Sequence, residues 1–256
     1  MNVLVLLSGI LFMLMAIIGG KKGIRSFIAL FLNFGVIVVL LFFMNDPTLN
    51  PVILTLIACV FISCINLFYI NEVNWTTKTA FYATIVTTIV LVIFISFITN
   101  SAMIQGFGEE ETEEMGMFSF YIGLDFVKIA VSVIIMSTIG AITDAAIAIA
   151  SPMREMHIHH PRIERKELFY FGLSIGRDIL GTSTNTLFFA FFGGYLALLI
   201  WFKDLSYTFG EIFNSKVFSS ELITICCAAI GVTLVIPVTA WITAYFLTRK
   251  KTDIIS

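Results

Sequence analysis

Long apolar runs separated by short polar joints set the first division of this chain. Seven runs come near the ~20 residues that a bilayer core requires: 2–18, 24–44, 51–70, 80–99, 126–150, 180–202 and 221–246. The first is short and the fifth long. The stretch 115–125 reads either as an interfacial helix or as the start of the fifth run. The joints carry turn and charge signals: GGKKG, NDPTLNP, NEVNWTTK and the acidic EEETEE. The longer joint 151–179 is interrupted by Pro161. Beyond it Leu168, Phe171, Ile175 and Ile179 recur at helical spacing, which predicts an amphipathic helix at the membrane face leading into the sixth run.

Charge in the joints orients the runs. With the N-terminus outside, Lys21, Lys22, Arg25, Lys78, Arg154, Arg162, Arg165, Lys166, Arg249, Lys250 and Lys251 collect on the cytoplasmic side. Only Lys203 and Lys216 fall on the other. Basic loops stay inside, so the expected topology is N-out, C-in. The first run has no base before it and no clear small-x-small cleavage site after it, so it reads as a retained anchor.

Composition agrees. The chain is 59% hydrophobic and 12% charged, with a mean hydropathy of +1.00. No ordinary soluble domain has this make-up. The expectation is an all-α polytopic membrane protein, one transmembrane domain over 1–256, whose surroundings are the lipid bilayer. A net charge of -2 without a basic patch gives nucleic acid nothing to bind. Cys59, Cys64, Cys226 and Cys227 lie inside apolar runs without metal spacing and read as small buried hydrophobes.

Candidate chemistry lies where ionisable groups enter the apolar runs, because such groups are costly in a bilayer and usually face a bundle interior or a partner. Asp144 sits about 10 Å up the fifth run from Ser151 at 1.5 Å per residue. Arg177 and Asp178 open the sixth run, in GRDILGTSTNT. Arg177, Gly181 and Thr184 share one helical face, with Asp178, Thr182 and Asn185 on the next. The fifth run carries a small-residue stripe of Ser137, Ala141, Asp144/Ala145, Ala148 and Ser151, with Gly140 beside it, which would let a neighbouring helix approach closely. Runs five and six are therefore expected to pack tightly, with the Asp144 carboxylate facing run six or seven rather than lipid and within reach of Arg177, Thr182 or Asn185. Three roles stay open for this group of residues: a structural network fixing helix register, a proton or ion relay, or a cytoplasmic mouth with no special role.

The other polar features are weaker. His157, His159 and His160 read as a solvated loop rather than a metal site. Glu109–Glu114 reads as a solvated external loop, and Asp125 with Lys128 as a local pair. Asn74 heads an NWT acceptor sequence that the topology places inside. No phosphate loop, nucleotide fingerprint, hydrolytic triad, cofactor site or metal cluster is visible, so an enzyme is not expected.

GAITDAAIAIASPMREM and ELFYFGLSIGRDILGTSTNTLFFAFFGG, with KKGIRSFIALFLNF and NEVNWTTKTA, resemble the YibE/F-like family of bacterial membrane proteins. The short length resembles its F-type member, which implies a bacterial cytoplasmic membrane location and a longer E-type partner. A more distant likeness is to SecD and SecF of the resistance-nodulation-division superfamily. There, a span with an Asp ends in Arg-Glu, as Asp144 precedes Arg154-Glu155 here with an offset of one residue. The next span opens with a Ser-Arg-Thr type motif, matched by Gly176-Arg177-Asp178 through Thr186, then Gly193-Gly194. That likeness implies that spans two to seven form one six-helix half of the superfamily fold, with span one extra. NDPTLNP falls where a large external domain sits in those relatives. It also implies a proton-coupled, transporter-like subunit acting through Asp144 and Arg177 with a second half, as a homodimer or with the E-type partner. The alternative is a non-transporting scaffold or receptor component of a larger complex.

Overall fold

The computed structural model describes residues 3–106 and 125–249. Among these residues there are helices and no strands. The elements are α1 (Val3–Met44), α2 (Pro51–Cys64) extended by a π-helical turn (Ile65–Tyr69), α3 (Trp75–Ala102), α4 (Phe126–His159), α5 (Arg165–Gly194), α6 (Leu196–Asp204), α7 (Phe209–Asn214) and α8 (Lys216–Arg249). Five of them, α1, α2 with its π-helical turn, α3, α4 and α8, are long and apolar enough to cross a membrane. The pair α5 and α6, bent by 51° at Tyr195, makes a sixth if counted as one span. The acidic loop Glu109–Glu114, most of the stretch 115–125, and Lys250 with Lys251 lie outside the described residues.

The runs 2–18 and 24–44 meet within α1, which breaks at Gly20 (φ 53°, ψ -134°). A positive φ of this kind suits a residue without Cβ. The chain folds back there. The rings of Phe12 and Phe27 stand 5.0 Å apart, whereas fifteen residues of straight helix would separate them by about 22 Å.

Joint 151–179 differs most from expectation. Ser151 to His159 continue α4, so His157 and His159 lie in its last turn, and the backbone N–H of His160 closes the helix on Met156 O. The expected interfacial helix and sixth span are one rod, α5. It breaks after Gly193-Gly194, inside the run 180–202. Hydropathy misplaces this span because the middle of α5 is polar, while nothing between Arg165 and Phe192 breaks a helix. The row Leu168, Phe171, Ile175 and Ile179 is apolar as expected. It packs into a protein cluster with Ile149, Met153, Ile236, Ala240 and Ala244 rather than lying on a membrane surface.

Helix α8 is the axis of the fold and packs against α3, α4 and α5. Lipid tails are as apolar as leucine, so in a bilayer close contact, not burial, holds helices together. The contacts of α5 fit this. A Cβ at Gly172 would collide with Met153 and Ala240, and one at Gly176 with Ile236. On the other side of α4, Leu91, Ile95, Ile142, Val232 and Val235 form the main core. Beyond the bend, α6 buries Phe202 in a cluster with Phe191, Phe218 and Ile225.

Long-range bonds define the two ends of the bundle. At one end Arg25 pairs with Glu72 at 2.8 Å, Arg165 Nε donates to Thr248 Oγ1 at 3.0 Å, and Trp75, Arg154, His157 and Phe246 line one recess. This end gathers the bases of the first, third and fifth joints. At the other end Lys216 Nζ donates to the Gln105 carbonyl at 3.0 Å.

Candidate intramembrane polar site

Helix α4 shows its neighbours two kinds of face. Ile135, Ile139, Ile142, Ala146, Ile149 and Met153 point into the core. Val133, Ser137, Asp144, Ala148, Ser151 and Glu155 lie on a face the chain leaves exposed, with Gly140 and Ala141 half-buried beside them. Asp144 is eighteen residues from Phe126 and fifteen from His159, near the middle of α4. Helix α5 has a similar open face: Ser174, Arg177, Asp178, Gly181, Thr182, Asn185 and Thr186 are exposed, and Thr184 is half-buried.

Helices α4 and α5 pack on each other less than either packs on α8. Met153 of α4 meets Gly172 of α5. Counting nine residues from that contact along each antiparallel helix brings Asp144 level with Gly181 and Thr182. Arg177 is level with Ala148, about 6 Å from Asp144 along the axis at 1.5 Å per residue. The two charges share a depth within about one turn. They are not joined within one chain. Among the described residues no hydrogen bond or ion pair links Asp144 to Arg177, Thr182 or Asn185, contrary to expectation. Two ion pairs form elsewhere, Arg25–Glu72 and Lys128–Asp125. A Cβ at Gly140 or Gly181 would meet nothing within 4 Å. The close approach expected of those glycines falls to Gly172 and Gly176 instead. Their signal was a small residue every fourth position, Gly172 and Gly176 in FGLSIG, leading directly into Arg177.

The hydroxyls and the other polar groups behave differently. Ser137 Oγ donates to Val133 O, Thr182 Oγ1 to Ile179 O and Thr186 Oγ1 to Thr182 O, at 2.8–2.9 Å. Such local bonds satisfy a hydroxyl without any neighbour. Asp144, Arg177, Asp178 and Asn185 have no side-chain partner among the described residues. A carboxylate accepts only, and a helix interior offers it no free N–H. The described residues give these four no side-chain partner, so their charges and amide are left to be answered from beyond them.

Away from this face, three polar features have local duties. Asn33 Nδ2 donates to Asn66 Oδ1 at 2.8 Å, tying the second half of α1 to the π-helical turn. Asn74 caps α3: its Oδ1 accepts from Thr77 N and its own N–H donates to Thr77 Oγ1, both at 2.9 Å, so the NWT asparagine works as a capping box. Asp125 caps α4 through Val127 and Lys128 N–H groups and pairs with Lys128 Nζ at 3.0 Å. The bond to Lys128 is the main reason its carboxyl titrates below the usual range. The four cysteines are free thiols, with Cys59 and Cys227 buried and Cys226 exposed.

At the basic end lies a separate polar cavity of 230 Å³, between the first turn of α3, the last turns of α4 and Lys22 of α1. Ser151 and Glu155, from the open face of α4, form part of its wall.

An all-helical chain with several membrane-length apolar helices and charges at their mid-depth is a polytopic membrane protein. The chain belongs to the YibE/F-like protein family, whose model matches residues 7–249. No curated protein and no solved structure matches it.

Proposed function

We propose that this chain is one half of a transporter-like membrane machine, in which Asp144 and Arg177 couple proton movement to a change in how two halves pack. What carries the reading is the open face itself: an unpartnered carboxylate and an unpartnered guanidinium at matching depth on adjacent helices. An ionised side chain facing lipid at mid-bilayer costs about 2.5–3.5 kcal/mol. Such groups persist in spans where they meet a partner or a water-filled path, and they commonly mark proton routes. A second similar half, another copy of this chain or a longer E-type relative, would supply that partner.

The remaining expectations fit this reading. The fold-back at Gly20 supports seven spans, with the second to seventh resembling one six-helix half of the resistance-nodulation-division fold. The gathering of bases at one end supports N-out, C-in insertion in a bacterial cytoplasmic membrane. In the assembled pair Arg177 is the counter-charge that an Asp144 carboxylate meets. Protonation of Asp144 releases that pair, and the hydroxyls of Thr182 and Thr184 with the Asn185 amide line the path. Asp178, one residue on and about 100° around the helix from Arg177, faces the same opening and is its second acceptor.

Reconstitution in vesicles loaded with a pH-sensitive dye tests the idea. Wild-type vesicles should show proton movement that Asp144→Asn and Arg177→Ala each abolish. Wild-type movement in both variants would end the coupling reading and favour a scaffold that assembles through the same face.

A further inference from the structure

The polar cavity at the basic end is chemically distinct from the open face above it. It is lined by Lys22, Asn71, Asn74, Thr76, Thr77 and Arg154, with Ile147, Ser151 and Glu155 completing the wall. Its 230 Å³ is below the ~300–1,000 Å³ of sites for whole metabolites. It suits a single polar group.

Three observations indicate the sign of that group. Arg154 is half-buried and lines the cavity, yet no acid or carbonyl pairs with it among the described residues. Arginine keeps its charge, and its planar fork is the usual partner of phosphate oxygens. Thr76 is only 6% exposed, reaches the cavity wall, and its hydroxyl has no partner among the described residues. It can donate into the space. Third, α3 begins at this wall, adding the positive end of a 28-residue helix dipole. Lys22, exposed at the rim, supplies a second cation.

Glu155 is the one acidic group in the wall. It opposes a bare anion, but it would favour a ligand that carries an amine beside its phosphate. The cavity lies at the end of the bundle where the apolar segments give way to charged joints, the depth at which lipid headgroups sit.

We propose that this cavity binds a phosphate group, gripped by Arg154, Lys22 and Thr76 at the start of α3, and that Glu155 makes it prefer a phosphate with a neighbouring amine. A phospholipid headgroup and a free phosphate compound share that chemistry. The site does not depend on proton coupling at Asp144.

The test is native mass spectrometry of the full chain in a phosphate-free neutral detergent. Four probes are titrated separately: phosphatidylethanolamine, phosphatidylglycerol, an uncharged galactolipid and inorganic phosphate. Both phospholipids should bind, phosphatidylethanolamine more tightly, and the galactolipid should bind weakly. A charged hydrogen-bonding partner typically carries about a tenfold effect or more. Arg154→Gln should therefore lower occupancy by the phosphate-bearing probes about tenfold, and Lys22→Gln should lower it by a smaller factor. Glu155→Gln should raise occupancy by phosphatidylglycerol and inorganic phosphate and erase the preference for phosphatidylethanolamine. Binding of inorganic phosphate that depends on Arg154, without lipid binding that does, would assign the site to a free phosphate compound. Equal occupancy in wild type, Arg154→Gln and Lys22→Gln for all phosphate-bearing probes would overturn the proposal, as would galactolipid binding as strong as phospholipid binding. A preference unmoved by Glu155→Gln would overturn the role given to that residue. Lys22 is exposed, so its variant remains informative should Arg154→Gln not fold.

Discussion

Replacing Asp144 by alanine separates two opposite consequences of its open position. If the face is bare to lipid, the carboxylate costs the chain about 2.5–3.5 kcal/mol, and Asp144→Ala should stabilise the protein by that order. If a second copy covers the face, the same change leaves a buried Arg177 without its counter-charge. Breaking a buried pair from one side costs about 3–5 kcal/mol, equal to roughly 100-fold or more in association. Removing both charges avoids the stranded group, so Asp144→Ala with Arg177→Leu should associate better than Asp144→Ala alone. Copies carrying donor and acceptor dyes, diluted stepwise with lipid in vesicles, give the association constant from energy transfer. Cysteine cross-linking adds position. In a chain with Cys59, Cys64, Cys226 and Cys227 replaced by alanine, Ser137→Cys and Ala148→Cys should form intermolecular disulfides under mild oxidation. Ile93→Cys, on α3 and 72% exposed, should not. Covering of the face by a second copy would be refuted by a single outcome: Asp144→Ala raises thermal stability, leaves energy transfer unchanged, and gives no cross-link from α4.

Two further predictions concern packing and pH. Gly176→Ala drives a Cβ into Ile236 and should cost about 1–3 kcal/mol of stability. Gly181→Ala, one turn further on in open space, should be neutral or stabilising in dispersed single chains, where alanine gains up to about 1 kcal/mol as the better helix former. Differential scanning fluorimetry of the two in detergent should therefore rank them oppositely, and equal losses would contradict the contacts assigned to α5. Asp125 titrates below the ordinary carboxylate value through Lys128 and the first turn of α4. Its contribution is thus present above the unfolded-chain value near ~3.9 and is lost as pH falls through the lower folded value. Because the pair is partly solvated, the loss should be within about 1 kcal/mol. Hydrogen-exchange protection at the start of α4, corrected for the intrinsic pH dependence of amide exchange, should fall below about pH 4 in wild type, while Asp125→Ala should show the lower protection already at neutral pH.

Much of this fold can be read from one sequence because hydropathy and helix length are coupled by bilayer thickness. The runs for α3, α4 and α8 come out within a few residues of the helices at their apolar ends. GGKKG signals the fold-back in α1, since three glycines and two lysines cannot continue an apolar span. The failures share one cause. A helix that is polar along one face is under-weighted by any average over its length, so α5 is displaced by half its extent, and the last turns of α4 disappear into the supposed joint 151–179. Spacing alone nevertheless identifies the faces correctly: the Leu168 row is apolar and the Arg177 row polar. What spacing cannot supply is the helix that each face meets. That depends on where α8 lies, and on Gly172 and Gly176 allowing it to come close.

The same distinction bears on whether the polar face merely fixes register. Register can be set by polar groups that bond across two helices of one bundle. Here the buried hydroxyls of α4 do not do that. Ser132 donates to Lys128 O, Thr138 to Ile135 O and Thr143 to Ile139 O. Each is satisfied by its own helix and costs little wherever it sits. On the open face Ser137, Thr182 and Thr186 are satisfied in the same way. Were register the only requirement, α4 and α5 could dispense with ionised groups altogether, because Gly172, Gly176 and Met153 already lock them to α8 and to each other. Asp144 and Arg177 are then an expense with no structural return inside the chain. On the function proposed above they meet a surface that answers both charges, and protonation of the carboxylate, by releasing that partner, would move a helix.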